Sequence, residues 1–160
     1  MRRLLSLVCL VAALLPAPAQ ATVAERQPTG TGHAVATDPP RPALSGWRMR
    51  IPGTDGVYLI DPEGYRRGIP NWSTHENLFR DLNAVEPNSV LAFIPVRSDL
   101  SRGAHLARVD GTDGVYLISN GIRRGIASPA TMDKYGFDWA KVRPIEADVL
   151  ESIPDGPTWR

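Results

Sequence analysis

Cysteine is almost absent from this sequence of 160 residues, and its one occurrence, Cys9, lies in an apolar segment close to the N-terminus. Beyond that segment the chain can form no disulfide, no zinc–thiolate site and no cysteine nucleophile, so we expect an ordinary packed core. Histidine is also scarce, and His33, His75 and His105 show none of the H-x-x-x-H or H-E-x-x-H spacings typical of metal sites. We therefore expect no metal and no cofactor.

An excess of charge of either sign is missing as well. The chain has 18 basic and 17 acidic residues, and removal of the N-terminal segment described next takes away two arginines and no acid. A nearly neutral chain has no general electrostatic attraction to nucleic acid or to anionic lipid. We therefore expect neither as a partner.

The first 21 residues have the order of a secretory signal peptide. Arg2 and Arg3 precede an apolar run at residues 4–15, and Ala19 and Ala21 provide the small residues of a cleavage site. The apolar run is shorter than the roughly 20 residues that span a bilayer, so we expect no membrane insertion after cleavage. The sequence predicts a secreted protein, either extracellular or, if the organism has an outer membrane, periplasmic.

Residues 22–45 are predicted to be a disordered leader. They combine proline, threonine, glycine and alanine with isolated charges and show no apolar period. Such a composition cannot bury enough surface to offset the entropy lost on ordering. The remaining residues, 46–160, are predicted to form a single domain.

That domain contains an internal repeat. The octet GTDGVYLI occurs at residues 53–60 and again at residues 111–118, and YRRGI at residues 65–69 is matched by IRRGI at residues 122–126. The spacing changes by one residue where DPEG is replaced by the shorter SNG. Eight consecutive identities followed by a second similar block indicate duplication, with copies at about residues 50–103 and 104–157.

Each copy predicts a β-hairpin followed by a short helix. β-rich runs flank the turn sequences PEG and NG, and helix-start chemistry follows, most clearly Ser128 before Pro129. We predict helices at about residues 75–82 and 130–135, with Gly136 ending the second. Neither copy alone buries a sufficient core. The fold class is therefore predicted as α+β, with two hairpin-plus-helix repeats packed as one pseudo-symmetric domain.

This combination of YLI, a glycine-containing turn, RR and a short helix resembles an exported bacterial tandem-repeat family of secreted and surface proteins. The resemblance covers about residues 50–157, nearly the whole predicted domain. It implies export and the hairpin-plus-helix unit, but no enzyme activity and no catalytic residue. Gly68 and Gly125 depart from the family pattern, which has a bulkier or polar residue between the arginines and the isoleucine.

The paired arginines are the main candidates for a ligand site. Side chains alternate along a strand, so Arg67 and Arg124 are predicted to point to the apolar side, and Arg66 and Arg123 to the exposed side. In one interpretation, each inward arginine lays its stem over the core and binds protein oxygens. In the other interpretation, each inward arginine lies in a pocket and binds an anionic or sugar ligand. We favour the structural interpretation.

Tryptophans offer a second kind of candidate. Trp72 is predicted to lie in a loop, where an apolar ring suits a stacking platform for sugar rings. Trp47 and Trp159 bracket the domain and are predicted to close the edges of its core. Trp139 is predicted to pack beside the neighbouring phenylalanine.

Three functions follow from these features. Tyr58 and Tyr116 lie near Arg67 and Arg124 in sequence, so the repeats would offer two equivalent pockets for an anionic or sugar ligand. We therefore expect a secreted, monomeric, non-enzymatic binding module for cell-envelope polysaccharide or an extracellular partner, since two weak sites gain affinity by effective concentration. The alternative is a structural protein-interaction domain with no small ligand. A small secreted hydrolase ranks last because no catalytic constellation is evident.

Overall fold

The computed structural model describes residues 38–160, which form two four-stranded mixed sheets and a few short helices. The prediction of an α+β fold is confirmed. The predicted signal peptide and most of the predicted leader lie outside the described residues. No helix within residues 38–160 has both the length and the apolar character needed to cross a membrane.

The first sheet is built around the first copy of the octet. Its strands are β1 (Arg48–Arg50), β2 (Val57–Ile60), β3 (Arg66–Gly68) and β4 (Glu86–Pro87). Their order is β3-β2-β1-β4, and only the β1–β4 pair is parallel. In this register Leu59 stands between Arg48 and Arg67. These three side chains therefore point to the same face of the sheet.

The second sheet has the same order of strands around the second octet. Its strands are β5 (His105–Arg108), β6 (Val115–Ser119), β7 (Ile122–Gly125) and β8 (Val142–Pro144). They are arranged as β7-β6-β5-β8, again with one parallel pair, β5–β8. Here Leu117 stands between Leu106 and Arg124. One sheet thus belongs to the first half of the molecule, residues 38–103, and the other to the second half, residues 104–160.

Both predicted hairpins are present, with different turns. Asn120 and Gly121 connect β6 to β7 with φ of 57° and 67°, the left-handed values that a two-residue turn requires and that asparagine and glycine tolerate best. The longer β2–β3 connection is closed by Asp61, whose Oδ1 accepts a hydrogen bond from the Tyr65 N–H at 2.9 Å. The two turn geometries account for the one-residue difference in the spacing of the repeats.

A helix follows each hairpin, as predicted. The helices are α1 (Trp72–Leu78), α2 (Pro129–Tyr135) and, near the C-terminus, α3 (Ala147–Ser152). Asn71 and Ser128 cap α1 and α2 through side-chain acceptors for backbone N–H groups, and Gly136 ends α2 in the left-handed conformation. The bounds predicted for the first helix, 75–82, are wrong at both ends. The helix begins at Trp72 because Asn71 caps it, and it ends at Leu78 because Phe79 is extended and forms a bridge with Phe137.

The main core combines side chains from both halves. Its aromatic centre runs from Phe79 through Phe137 and Tyr135 to Trp159, with successive ring centroids 5.5, 5.5 and 4.7 Å apart. Leucines of both octets and of β5 pack around these rings. A smaller cluster, formed by Met49, Ile60, Leu91 and Ile94, covers the opposite face of the first sheet. Because the main core is shared, we expect the two halves to fold together.

The packed domain begins before residue 46, where the leader was predicted to end. Residues Pro42–Leu44 form a 3-10 helix, and the Arg41 N–H donates to the Gly64 carbonyl at 2.9 Å. Ser45 is buried, with its hydroxyl 2.6 Å from that of Tyr135. Residues 41–45 therefore belong to the domain, because tertiary contacts order a segment whose composition alone predicts disorder.

An extended segment lies beside the last hairpin strand of each sheet. The Leu100 N–H donates to the Gly68 carbonyl at 2.9 Å, and the Trp159 N–H donates to the Gly125 carbonyl at 2.8 Å. Both segments follow an Ile-Pro pair, at residues 94–95 and 153–154. These segments close the edges that β3 and β7 would otherwise expose.

Candidate functional site

Arg67 is held by protein oxygens. Its Nε donates to Asp61 Oδ2 at 2.9 Å, and its Nη1 donates to the Ser98 carbonyl at 2.9 Å. Asp61 is fully buried and also lies 3.4 Å from Nη1 of Arg97. A buried carboxylate paired with a buried guanidinium fits the structural interpretation, since either group alone would be costly to bury.

Arg124 is as buried as Arg67 but lacks a carboxylate. Its Nη1 donates to the Ser119 carbonyl at 3.2 Å, its one hydrogen bond within residues 38–160. Ser119 follows YLI in the second octet, where Asp61 follows it in the first. Burial, together with repulsion from Arg67, lowers the pKa of Arg124. Asp61 and Glu63 oppose this shift in pKa, but neither forms an ion pair with Arg124, so its charge is compensated only at longer range.

The tyrosines accompany the first arginine of each pair rather than the second. The Arg66 Cζ lies 5.3 Å from the ring centroid of Tyr58, and the Arg123 Cζ lies 5.9 Å from that of Tyr116. Tyr58 precedes Leu59, which shares a face with Arg67, so Tyr58 and Arg67 point to opposite faces of the sheet. The expected pockets combining tyrosines with the inward arginines are not formed.

Arg66 and Arg123 are also less exposed than predicted. Arg66 Nη1 donates to the Leu91 carbonyl at 2.9 Å. Arg123 Nη1 donates to the Leu150 carbonyl at 2.7 Å, and its Nε is 2.7 Å from a carboxylate oxygen of Asp155. That hydrogen bond raises the pKa of Arg123. Strand alternation was predicted correctly, but both faces of these strands are covered.

The tryptophans divide into one buried and three exposed residues. Trp159 is 2% exposed and packs in the core, as predicted. Trp47, predicted to close the opposite edge, is 49% exposed, and Trp139, predicted to pack beside Phe137, is 44% exposed. Trp72 is 59% exposed at the first position of α1, 5.6 Å from the ring centroid of His75. The exposed rings lie on separate elements.

Two adjoining cavities lie on the second half of the molecule. One, of about 520 Å³, lies between the hairpin and α2, and Trp139, Arg108 and Asp113 are among its lining residues. The other, of about 410 Å³, is lined in part by Tyr116 and Arg123. Gly114 lines both cavities. We call the first cavity, which contains Trp139, the octet groove. The second cavity lies on the opposite face of the hairpin, because Tyr116 and Arg123 point away from the face that carries Leu117.

The octet groove presents polar groups that are not used within the fold. Arg108 and Asp113 are exposed, and neither side chain has a hydrogen bond or ion pair within residues 38–160. Ser128 also lines the groove, but its hydroxyl accepts from the Thr131 N–H as the cap of α2. A half-exposed aromatic ring beside unpaired polar side chains is suited to binding a polar ligand with an apolar face.

A further polar pair was missed in the sequence. Arg48 is 6% exposed, and its Nη1 lies 3.0 Å from Nε2 of His75, which is 3% exposed. Burial, and then the Arg48 charge, lowers the pKa of His75 to about 4, so the ring is neutral near pH 7. Arginine only donates, so Nε2 accepts and the ring proton is on Nδ1. This Nδ1 is buried and has no hydrogen-bond partner among the described residues.

Besides its contact with His75, the Arg48 side chain borders a cavity at the protein surface. The arginine lines a cavity of about 380 Å³ between β1 and the end of α2, which also includes Trp47 and Asp81. The Arg48 Cζ lies 4.3 Å from the Phe79 ring centroid, so the core holds the guanidinium from one side. The one available sequence signal was the alignment of His75 with Met132, which indicates that an imidazole is not needed at that position.

Comparison of the chain with protein-family models, curated proteins and solved structures finds no match in any of the three. Within residues 38–160 no three histidine, cysteine, aspartate or glutamate side chains are grouped so that they could hold a metal ion. The site must therefore be interpreted from its own residues.

Proposed function

We propose that the protein is an exported, non-enzymatic binding module whose octet groove binds a saccharide of the cell envelope or its surroundings. The observation that carries the proposal is Trp139, a half-exposed ring in a cavity of about 520 Å³ that also contains Arg108 and Asp113. Sugar rings have an apolar face that stacks on an indole and hydroxyl groups that bind charged side chains.

None of the ligand-binding residues predicted from the sequence lines the octet groove. Tyr116 lines the second cavity, on the opposite face of the hairpin. Arg67 and Tyr58 are assigned to the fold, because their partners are Asp61 and Arg66 within the domain.

The proposal places one groove on the molecule rather than two equivalent ones. Asp81, Val85 and Pro87 in the first half match Asp138, Val142 and Pro144 in the second at a constant spacing, which sets Leu82 against Trp139. Leu82 packs partly buried against the main core. The first half therefore lacks an aromatic platform at this position. With one site only, the gain in affinity that two equivalent sites would give by effective concentration is not expected.

We further propose that the halves are duplicated units packed with pseudo-symmetry, as the repeated sequence predicts. Supporting this are the shared strand order, one parallel pair in each sheet, and Leu59 and Leu117 at matching places in the register. Asn71 and Ser128 cap the two helices in the same way. The resemblance to exported tandem-repeat proteins is consistent with this organisation.

The test is binding of soluble envelope polysaccharide fragments and of a glycan array to the purified domain. Trp139→Ala should weaken binding by at least about tenfold, as expected for the loss of a stacking ring worth roughly 1.5 kcal/mol. Trp72→Ala is the matched control, because it removes an exposed tryptophan outside the groove and should leave binding unchanged. Absence of binding by the wild type, or equal losses in both variants, would contradict the proposal.

A protein-interaction domain without a small ligand is the second candidate. It is favoured by Phe93 and Val96, two apolar residues of the first half that are 61% and 59% exposed. Large exposed apolar side chains commonly mark contact surfaces. Capture of a cell-wall protein that is lost in Phe93→Ser and unaffected by Trp139→Ala would favour this candidate over the octet groove.

A further inference from the structure

We propose that the cavity beside Arg48 is a second binding site, which takes a small zwitterion with its carboxylate on the Arg48 guanidinium and its ammonium group on the acidic rim. The cavity of about 380 Å³ lies between β1 and the C-terminal end of α2. It shares no lining residue with the cavity that contains Trp139. The proposal is therefore independent of the octet groove.

Arg48 has no ionic partner in the fold. It is 6% exposed, yet no carboxylate lies within ion-pair distance of it in residues 38–160, and its one hydrogen bond is to the neutral His75 ring. Burial is the main cause that lowers the pKa of Arg48, although Asp81 opposes it at longer range. None of the Arg48 nitrogens is both fully buried and unpartnered, so its spare donors are accessible from the cavity and can meet a ligand there.

The second half shows that the fold does not need this arginine. Arg48 pairs with Leu59 across the first sheet, and at the same place in the second sheet Leu106 pairs with Leu117. Leu106 is fully buried and packs in the main core. Met132 occupies the position in α2 that His75 occupies in α1. The second half therefore has an apolar pair, Leu106 and Met132, at the positions of Arg48 and His75. A role outside packing is the simplest reason for the polar pair.

The free end of Arg48 faces the cavity. A Cβ atom placed on Gly136, which lines the cavity, would lie 3.5 Å from Arg48 Nη2, so the second amino group is at the cavity wall. Nη1 is oriented by His75 Nε2 on the other side. His75 is thus a positioning residue: it fixes the fork of the guanidinium so that the remaining donors can meet a carboxylate in bidentate geometry.

The rim of the cavity favours a ligand with both signs of charge. Arg80 and Asp133 neutralise one another through an ion pair of 2.8 Å. Asp81 and Glu86 also line the cavity, and neither forms an ion pair within residues 38–160. Lys134 is the one further cation of the lining, and its Nζ donates to the Arg160 carbonyl at 3.1 Å. A carboxylate placed against Arg48 would therefore lie close to Asp81 and Glu86 unless it carried a cation with it. A carboxylate and an ammonium group on one small molecule satisfy both sides.

The test is calorimetric titration of the purified domain near pH 7 with alanine and alanyl-alanine as zwitterionic probes. Acetate and methylammonium are probes that carry one charge each. We expect at least one zwitterion to bind at millimolar concentration or below and both single-charge probes to bind at least tenfold more weakly. No binding by either zwitterion, or acetate binding equally well, would overturn the proposal.

Two variants assign the site. Arg48→Leu copies the residue of the second half, so it should fold and should lose at least tenfold in affinity. Arg50→Leu makes the same change at an exposed position of the same strand and should bind as the wild type does. Unchanged affinity in Arg48→Leu would refute the assignment. A shift of the Trp47 indole resonance on titration of the wild type checks the location without any variant, and no shift would count against it.

Discussion

The two halves of the molecule have the same strand order but different interiors. The first half buries two polar pairs, Arg48 with His75 and Arg67 with Asp61. In the corresponding places the second half has Leu106 with Met132, and Arg124 with no carboxylate. One backbone arrangement thus accepts polar or apolar contents at matched positions. The comparison teaches that the fold does not require the Arg48–His75 pair or the Asp61 carboxylate, and the second half provides an internal control for each.

The largest difference in stability between matched variants of the two halves is expected at the inward arginines, Arg67 and Arg124. Arg67→Met leaves the fully buried Asp61 with Arg97, at 3.4 Å, as its remaining ionic partner within residues 38–160, so we expect a loss of about 3–5 kcal/mol in the free energy of unfolding. Arg124→Met removes only a hydrogen bond to the Ser119 carbonyl and should change that free energy by no more than about 1 kcal/mol. Urea denaturation measures both. Equal losses would show that the two arginines are equivalent despite their different partners.

A smaller change in stability is expected when Arg48 and His75 are replaced by the residues at the matching positions of the second half. His75→Met removes the one side-chain hydrogen-bond acceptor that Arg48 has within residues 38–160 and should destabilise the protein by about 1–3 kcal/mol. Adding Arg48→Leu should recover this loss, because an apolar pair replaces a buried polar one. Thermal denaturation of Arg48→Leu, of His75→Met and of the double variant gives the coupling free energy between Arg48 and His75. Additive effects would mean that Arg48 and His75 do not act together.

The same pair should make the first half sensitive to acid. Burial, and then Arg48 and Lys141, holds the pKa of His75 at about 4 in the folded protein against 6.5 when exposed, with Glu76 acting in the opposite direction. The unfolded chain therefore binds more protons between these values, and stability falls as the pH is lowered from 6.5 towards 4.

This dependence can be isolated by comparison with the double variant Arg48→Leu, His75→Met. Carboxylates titrate in both proteins, so the difference between their unfolding free energies reports on the pair. We expect the difference to move in favour of the variant as the pH falls through this range. Parallel pH profiles for the two proteins would contradict the lowered pKa of His75.

The smallest effect is expected at the contact between the halves near the rim of the Arg48 cavity. Arg80 and Asp133 form an ion pair of 2.8 Å, but their side chains are 50% and 61% exposed. Arg80→Ala should cost less than about 1 kcal/mol, since exposed pairs are screened by water and salt. The loss should shrink further in high salt. A loss as large as that of Arg67→Met would show that this contact holds the halves together.

The sequence predicted local features better than long-range contacts. The hairpins, the cap at Ser128 and the stop at Gly136 depend on neighbouring residues, so their patterns are visible in the chain. The two parallel strands were missed because a two- or three-residue strand has no period to detect. The end of α1 was missed because Phe79 leaves the helix to meet Phe137 in the other half.

The candidate sites were less predictable than the fold. Alternation placed Arg67 and Arg124 inward, but it could not show that the faces outside them are covered as well, nor that Tyr58 belongs with Arg66. Trp139 was assigned to the core because a tryptophan beside a phenylalanine is usually buried. The role of Arg48 depends on contacts with α1 and α2, which are distant in sequence.

The arrangement of the four tryptophans has a spectroscopic consequence. Trp159 is shielded in the ring stack, whereas Trp47, Trp72 and Trp139 are exposed on different elements. The emission of the native protein should therefore contain a blue-shifted component inaccessible to acrylamide and a red-shifted component that is quenched. Ligands at the octet groove or at the Arg48 cavity should protect only the second component. Unfolding should abolish the first, so one fluorophore type reports separately on occupancy and on the integrity of the core.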